Sequence, residues 1–213
     1  MKKINVSLSI AAIIFCTVSA CRKVPDNVSQ VEKASWPTIT ILGSQFYSIP
    51  VGGTIPNVAA TSYDSVLKES YPVLLDASAV DATKPGLAIV PLKAKNKFGF
   101  ISSLNVLIAI TDISESANLS GEYKRGNTSV EVEEIESGLY STNNFFGAPS
   151  TPGTYAFFAQ INDSTIAMPT QETSEGLLKS SDHFLHQLPG DTTYGYKLQS
   201  ITINRVLRVF KKQ

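Results

Sequence analysis

Three features of the sequence predict an all-β fold. From Trp36 onward the chain is built of short runs such as Thr38-Ile39-Thr40-Ile41-Leu42, with the two-residue alternation of a half-buried strand. Gly, Pro, Asn and Asp punctuate these runs at regular intervals. Only Ser174 to Leu188 leaves a short helix or a long loop open, through Leu177, Leu178, Phe184, Leu185 and Leu188.

The first expected domain spans residues 36–112. After Thr38 to Leu42, Gln45 to Val51 is a second run, closed by Gly52-Gly53. Val58 to Ser62, Tyr71 to Leu75 and Gly86 to Ala94 follow. Asn96-Lys97-Phe98-Gly99 is a turn, and Phe100 to Thr111 is the closing strand. Pro91 has no N–H to give a ladder, so it belongs at an edge or a bulge. About six strands with regular turns favour a small sandwich.

Residues 113–117 read as a linker, and residues 118–213 as a second small antiparallel β-domain. In Thr128 to Glu133, alternation sets Val130 and Val132 against Glu131 and Glu133. Glu136-Ser137-Gly138 turns the chain and Leu139 to Thr142 returns. Tyr155 to Ile161 and Thr165 to Met168 form a hairpin around Asn162-Asp163-Ser164. Tyr194, Tyr196 and Leu198 share one strand face. Ile201 to Lys211 supplies the last strands, with a break near Asn204-Arg205.

Several segments carry a family resemblance. A strand ending in Asp76, then Val80-Asp81, Thr83-Lys84-Pro85-Gly86, an alternating strand to Ala94, a short turn and an apolar strand to Asp112 resemble the immunoglobulin-like domains of bacterial surface proteins. The resemblance covers about Pro37 to Asp112 and implies an immunoglobulin-like β-sandwich. Lys95-Asn96-Lys97-Phe98-Gly99 replaces the usual acidic turn, which argues against a cation site there.

The N-terminus carries a second signal. Lys2 and Lys3 precede the apolar run Ile10 to Phe15, and Val18-Ser19-Ala20-Cys21 ends it. A basic start, a short apolar stretch and small residues before a cut make a secretory signal. Asn5, Ser7 and Ser9 interrupt the apolar run, and a membrane span needs roughly 20 apolar residues. Val-Ser-Ala-Cys resembles the bacterial lipobox. That resemblance implies a signal peptide over residues 1–20 and acylation of Cys21 as the mature first residue. It implies three acyl chains, and two or more anchor stably. Residues 21–35, polar and containing Pro25, read as a tether.

Composition excludes several functions. The full chain has 18 basic and 18 acidic residues, and loss of Lys2 and Lys3 leaves 16 against 18. Such a balance offers no electrostatic reason to bind nucleic acid. The two cysteines are Cys16, inside the signal, and Cys21. A chain cut and acylated there has no free thiol, so disulfides, thiolate nucleophiles and cysteine-ligated zinc are not expected.

Leu119-Ser120-Gly121-Glu122-Tyr123-Lys124-Arg125, Gly138-Leu139-Tyr140, Phe145-Phe146-Gly147 and the ending Val209-Phe210-Lys211-Lys212 resemble the barrel-like C-terminal domain of two-domain Bacteroidota lipoproteins. With the lipobox and the first domain, the resemblance covers nearly the whole chain. Such proteins are similar in setting to accessory lipoproteins of glycan-uptake systems. The implied partners are the membrane, through the lipid, and a polysaccharide or outer-membrane transport proteins. The implied location is the outer membrane. Arg22-Lys23 directly after Cys21 leaves its cell-surface or periplasmic face open.

Few residues promise catalysis. His183 and His186 have H-x-x-H spacing, with Asp182 and Asp191 near in sequence, but no third ligand stands at motif spacing. No Gly-x-Ser-x-Gly or Ser-x-x-Lys stands in a context that makes it a nucleophile motif, and there is no phosphate-cradling glycine loop. Glu131, Glu133, Glu134 and Glu136 cluster, yet alternation gives Glu131 and Glu133 to solvent. No catalytic residue, metal or cofactor is expected, and the chain is not read as an enzyme.

Aromatic residues carry the remaining signal. Sugars stack on exposed aromatic faces while neighbouring polar groups bind their hydroxyls. Tyr140, Asn143, Asn144, Phe145 and Phe146 are the candidate ligand-binding residues. An extended Phe145-Phe146 would send one ring to the core and one to solvent. The alternative is that these aromatics build the core, as in most β-domains. Trp36 is expected to pack where the first domain begins. Asp64-Ser65-Val66, Asp163-Ser164-Thr165 and Asp191-Thr192-Thr193 resemble O-glycosylation acceptors of the Bacteroidota. The function these features imply is a non-catalytic glycan-binding accessory of an outer-membrane polysaccharide uptake system. The alternative is a structural or protein-interaction lipoprotein with an immunoglobulin-like spacer.

Overall fold

A computed structural model describes residues 34–114, 116–199 and 206–213. The signal, lipobox and most of the tether lie outside these residues, as does the expected break near Asn204-Arg205. Every regular element among the described residues is a β-strand, so the fold class is all-β. Ser35–Gln213 forms one compact unit.

The first half is a two-sheet sandwich. One sheet joins β1 (Thr38–Ile41), β3 (Ala60–Asp64) and β4 (Glu69–Ser70). The other has the order β2 (Phe46–Pro50), β7 (Ile101–Thr111), β6 (Gly86–Lys95), β5 (Val73–Leu75). The β2–β7 pair is parallel and the other pairs are antiparallel. Ile49, Val90, Leu92, Val106, Ile108 and Ile110 fill the core between the sheets, with Ile41 and Ala60 packed against them. Pro91 sits within β6, between two neighbours. Its carbonyl accepts from Asp76 N at 3.0 Å, just past the end of β5. N–H and C=O of one strand residue point the same way, so the missing donor faces the side where β5 has run out.

The second half is one antiparallel sheet in the order β12-β11-β10-β9-β8-β16-β15-β14-β13. Its strands are β8 (Gly121–Arg125), β9 (Thr128–Glu136), β10 (Leu139–Thr142), β11 (Ala156–Asn162), β12 (Thr165–Ala167), β13 (Gln171–Thr173), β14 (Gly176–Leu188), β15 (Asp191–Gln199) and β16 (Val206–Lys212). The sheet curls until its ends meet. Leu185 N on β14 donates to Ser164 O in the β11–β12 turn at 2.8 Å, and Ser180 Oγ donates to Met168 O at 3.3 Å. Tyr123, Val130, Val132, Tyr140, Phe158, Tyr194, Tyr196 and Phe210 fill the interior. Rings stack across the strands, as in Tyr194–Phe210 at 4.9 Å and Phe158–Tyr194 at 5.3 Å.

The segment that fits either a helix or a loop by pattern is the long strand β14. Its register shifts between Ser181 and Phe184, where three steps on β14 face two on β15. Asp182 takes φ 52° at this bulge and pairs with Lys197 at 2.7 Å. The bulge reverses the strand's phase. Leu178 and Leu185, seven residues apart, therefore both point inward.

A third apolar cluster joins the two halves. Leu87 and Leu107 with Ala109, on the outer face of β6 and β7, pack with Leu139 and Ala159, and Phe46 and Phe157 flank them. The Phe46 and Phe157 rings are 5.4 Å apart. The end of β7 is thus buried on both faces, Ile108 toward the sandwich and Ala109 toward the curled sheet. Asp112 N donates to Ile161 O at 3.0 Å, which ties the connecting segment to β11.

Candidate functional site

The predicted aromatic platform is not exposed. Tyr140 is fully buried, and Phe145 and Phe146 are 1% and 6% exposed. The Phe145–Phe146 pair is not extended. It sits in a turn closed by Gly147 N donating to Asn144 O at 3.0 Å, so both rings turn into the core. Phe145 stacks on Tyr196 at 4.8 Å and meets Phe146 edge-on at 5.9 Å. The Tyr196 hydroxyl donates to Phe145 O. Tyr140 accepts from Leu119 N at 3.1 Å, and its hydroxyl donates to Glu134 Oε1 at 3.3 Å. Burial pushes its phenol up to about 12. Asn143 Oδ1 accepts from Glu131 N at 2.9 Å, and Asn144 Nδ2 donates to Ala148 O at 3.0 Å. Both asparagines hold the loop together. The physical reason for the correction is distance in sequence: Tyr196 and Phe158, which cover these rings, lie on strands that no local pattern connects to them.

The other expected groups are dispersed. His183 Nε2 shares a hydrogen bond with Ser180 Oγ at 2.8 Å, and His186 packs against Phe184 at 5.2 Å. Glu131 and Glu133 face solvent as alternation predicts. Glu134 is drawn inward and accepts from Asn118 Nδ2 at 2.7 Å. Among the described residues no group of His, Cys, Asp and Glu converges for a metal.

Trp36 shows the geometry that the buried rings lack. It is 55% exposed, and its ring meets Phe100 at 5.0 Å with a tilt of 55°. Beside it runs an open groove of about 250 Å³ lined by Pro37, Thr38, Ile39, Ser102, Ser103 and Leu104. The sequence placed Trp36 in packing at the domain start. The structure packs it on one side, against Phe100, and leaves much of the ring to solvent. The missed signal is the set of small hydroxyl residues on the neighbouring strand, Ser102-Ser103, which leave the ring uncovered.

A buried polar network holds both rings. Ser35 Oγ donates to Asp64 Oδ2 at 2.7 Å. Asn96 Nδ2 donates to Ser35 O at 2.9 Å and to Asp64 Oδ2 at 3.2 Å. Asn96 Oδ1 accepts from Phe98 N at 3.1 Å and Phe100 N at 3.0 Å. Asp64 Oδ1 accepts from Val66 N at 3.0 Å and Leu67 N at 3.1 Å. Burial alone would raise the Asp64 carboxyl. The hydrogen bonds from Ser35, Leu67, Asn96 and Val66 outweigh it and hold the group below its ordinary value. The network locks the residue before Trp36 and the backbone of Phe100 into one frame.

No family model matches the chain, and neither does any curated protein. A crystal structure of a lipoprotein from Bacteroides thetaiotaomicron is similar with a TM-score of 0.38 and 16% identity, over 83% of this chain and 100% of that one. A likeness of that size leaves function to the residues themselves.

Proposed function

We propose that this is a lipid-anchored protein of the bacterial outer membrane and a non-catalytic glycan-binding accessory of a polysaccharide uptake system. The observation that carries the binding part is the exposed Trp36 ring, braced by Phe100 beside a hydroxyl-lined groove. A rigid, half-exposed indole offers a stacking face at low ordering cost, and Thr38, Ser102 and Ser103 offer hydrogen bonds to sugar hydroxyls. Val18-Ser19-Ala20-Cys21 after a basic and apolar stretch supports the anchor. The site is moved from Tyr140, Phe145 and Phe146 to Trp36 because stacking needs an open face.

The test is a glycan-array and affinity-gel screen with detergent-solubilised mature protein. Retention by at least one polysaccharide, lost in Trp36→Ala with an unchanged circular dichroism spectrum, is the expected result. Absence of retention on every glycan overturns the reading.

A second reading, a protein-interaction lipoprotein, is favoured by one observation. Leu207 and Val209 are exposed together on the outer face of β16, next to Val206. Envelope cross-linking that captures a protein through this strand, with no glycan bound, would favour it.

A further inference from the structure

We propose that Arg125 and Arg208 form an oxyanion-binding site at one end of the curled sheet, taking a carboxylate, sulfate or phosphate group. This site is separate from the Trp36 groove and does not rest on the glycan reading.

Strand register brings the two arginines to the same inner face. Arg208 on β16 stands directly opposite Tyr196 on β15, and paired residues of antiparallel strands point to one side. Tyr196 is fully buried, so Arg208 points inward too. Arg125 lies two residues after the fully buried Tyr123 on β8, so it shares that face. The ladder pairs Lys211 with Lys124 and Lys212 with Tyr123, and one further step sets Arg125 beside Phe210. Gly147 confirms the closeness. A Cβ there would meet the Phe210 ring at 2.6 Å and Arg125 Cδ at 2.7 Å.

Neither arginine has an acidic partner among the described residues. The ion pairs among those residues all use lysine, as in Lys197–Asp182 and Lys211–Asp191. Arg125 donates one bond, to Gly147 O at 3.0 Å. Arg208 Nε is buried and has no hydrogen-bond partner among the described residues. Arg208 lies two residues from Phe210, the residue that faces Arg125. Burial together with the nearby Arg125 charge holds its guanidinium below its ordinary value. A charged group with an idle buried donor thus stands there without a counter-ion among the described residues. A guanidinium presents two parallel N–H donors, which an oxyanion satisfies and a neutral group does not. Both side chains keep partial exposure, so an anion can reach them.

Isothermal titration of detergent-solubilised full-length protein tests the site. The probes are sodium sulfate, sodium phosphate and sodium glucuronate, each at fixed ionic strength against sodium chloride. Saturable binding of at least one probe is expected, weakened about tenfold or more in Arg125→Gln and in Arg208→Gln by loss of a charge-assisted bond. A preference for sulfate or phosphate points to a tetrahedral ester, and a preference for glucuronate to a sugar acid. Should Arg208→Gln lose its cooperative melt, Arg208→Lys carries the same test, since lysine keeps the charge and loses the fork. Trp36→Ala is expected to bind the anion as wild type does, which separates failure here from failure of the groove. No binding of any probe, or wild-type affinity in both arginine variants, overturns the proposal.

Discussion

The side-chain amide of Gln171 bonds both backbone groups of Phe157. Its Oε1 accepts from Phe157 N and its Nε2 donates to Phe157 O, each at 2.8 Å. The register of β11 with β12 ends at Ala159 against Ala167, so β12 does not reach Phe157. Gln171, on the far edge strand β13, supplies the missing peptide from its side chain and helps to close the curled sheet.

Gln171→Ala is therefore expected to destabilise the protein by about 1–3 kcal/mol, since it strands a donor and an acceptor at once. Gln171→Glu keeps the acceptor but sets a buried carboxylate oxygen against Phe157 O, and should cost at least as much as alanine at neutral pH. Urea unfolding with a constant m-value measures both; equal stability of wild type and Gln171→Ala counts against this closure.

Gly147 has φ 56° and lies against Phe210 and Arg125. Gly147→Ala adds a methyl where no space exists, in a backbone conformation that L-residues rarely adopt. A loss of about 2 kcal/mol or more is expected, read as a lowered thermal midpoint. Gly153→Ala is the comparison. It shares a positive φ of 82° but has open space around it, so its loss should be smaller.

Asn96→Ala removes two acceptor and two donor contacts from the frame under Trp36 and Phe100. It should cost about 2–3 kcal/mol through unsatisfied buried groups. It should also weaken glycan retention although the Trp36 side chain itself is unaltered, because the frame that sets its position is loosened. Retention unchanged in a destabilised Asn96→Ala would show that the frame does not position the rings.

Asp64 makes stability pH-dependent. Its carboxyl is held below the ordinary value of 3.8, so the unfolded chain takes up the proton first. The contribution is present above pH 3.8 and is lost as pH falls through the lower folded-state value. The gap in thermal midpoint between wild type and Asp64→Asn should be widest near neutral pH and shrink below pH 4. A gap that does not change from pH 7 to pH 3 contradicts this.

Cys21→Ser should abolish acylation. The expected signs are loss of metabolic palmitate labelling and release of the protein from the membrane fraction. Labelling that persists in this variant would place the lipid elsewhere or nowhere.

Strand positions were largely legible because alternation is local. Val130 and Val132 on β9, and Tyr194, Tyr196 and Leu198 on β15, point inward as their spacing predicts. β14 was not legible for a physical reason. Its bulge puts Leu178 and Leu185 seven residues apart on one face, a spacing that suits a helix. The site was misplaced for a related reason. Phe145-Phe146 would split its rings between core and solvent only in an extended chain, and a four-residue turn through Gly147 sends both rings the same way.

The amino-acid sequence alone determined the all-β class, most strand positions and a cysteine-free folded part. Each follows from near neighbours or from composition. Only the tertiary structure decided which faces are covered. The curled sheet brings Tyr196 over Phe145 and turns Arg208 inward onto the face that Arg125 shares, while the sandwich leaves Trp36 open beside Ser102 and Ser103. Periodicity tells which side chains share a face. Burial depends on what arrives from elsewhere in the chain to cover it.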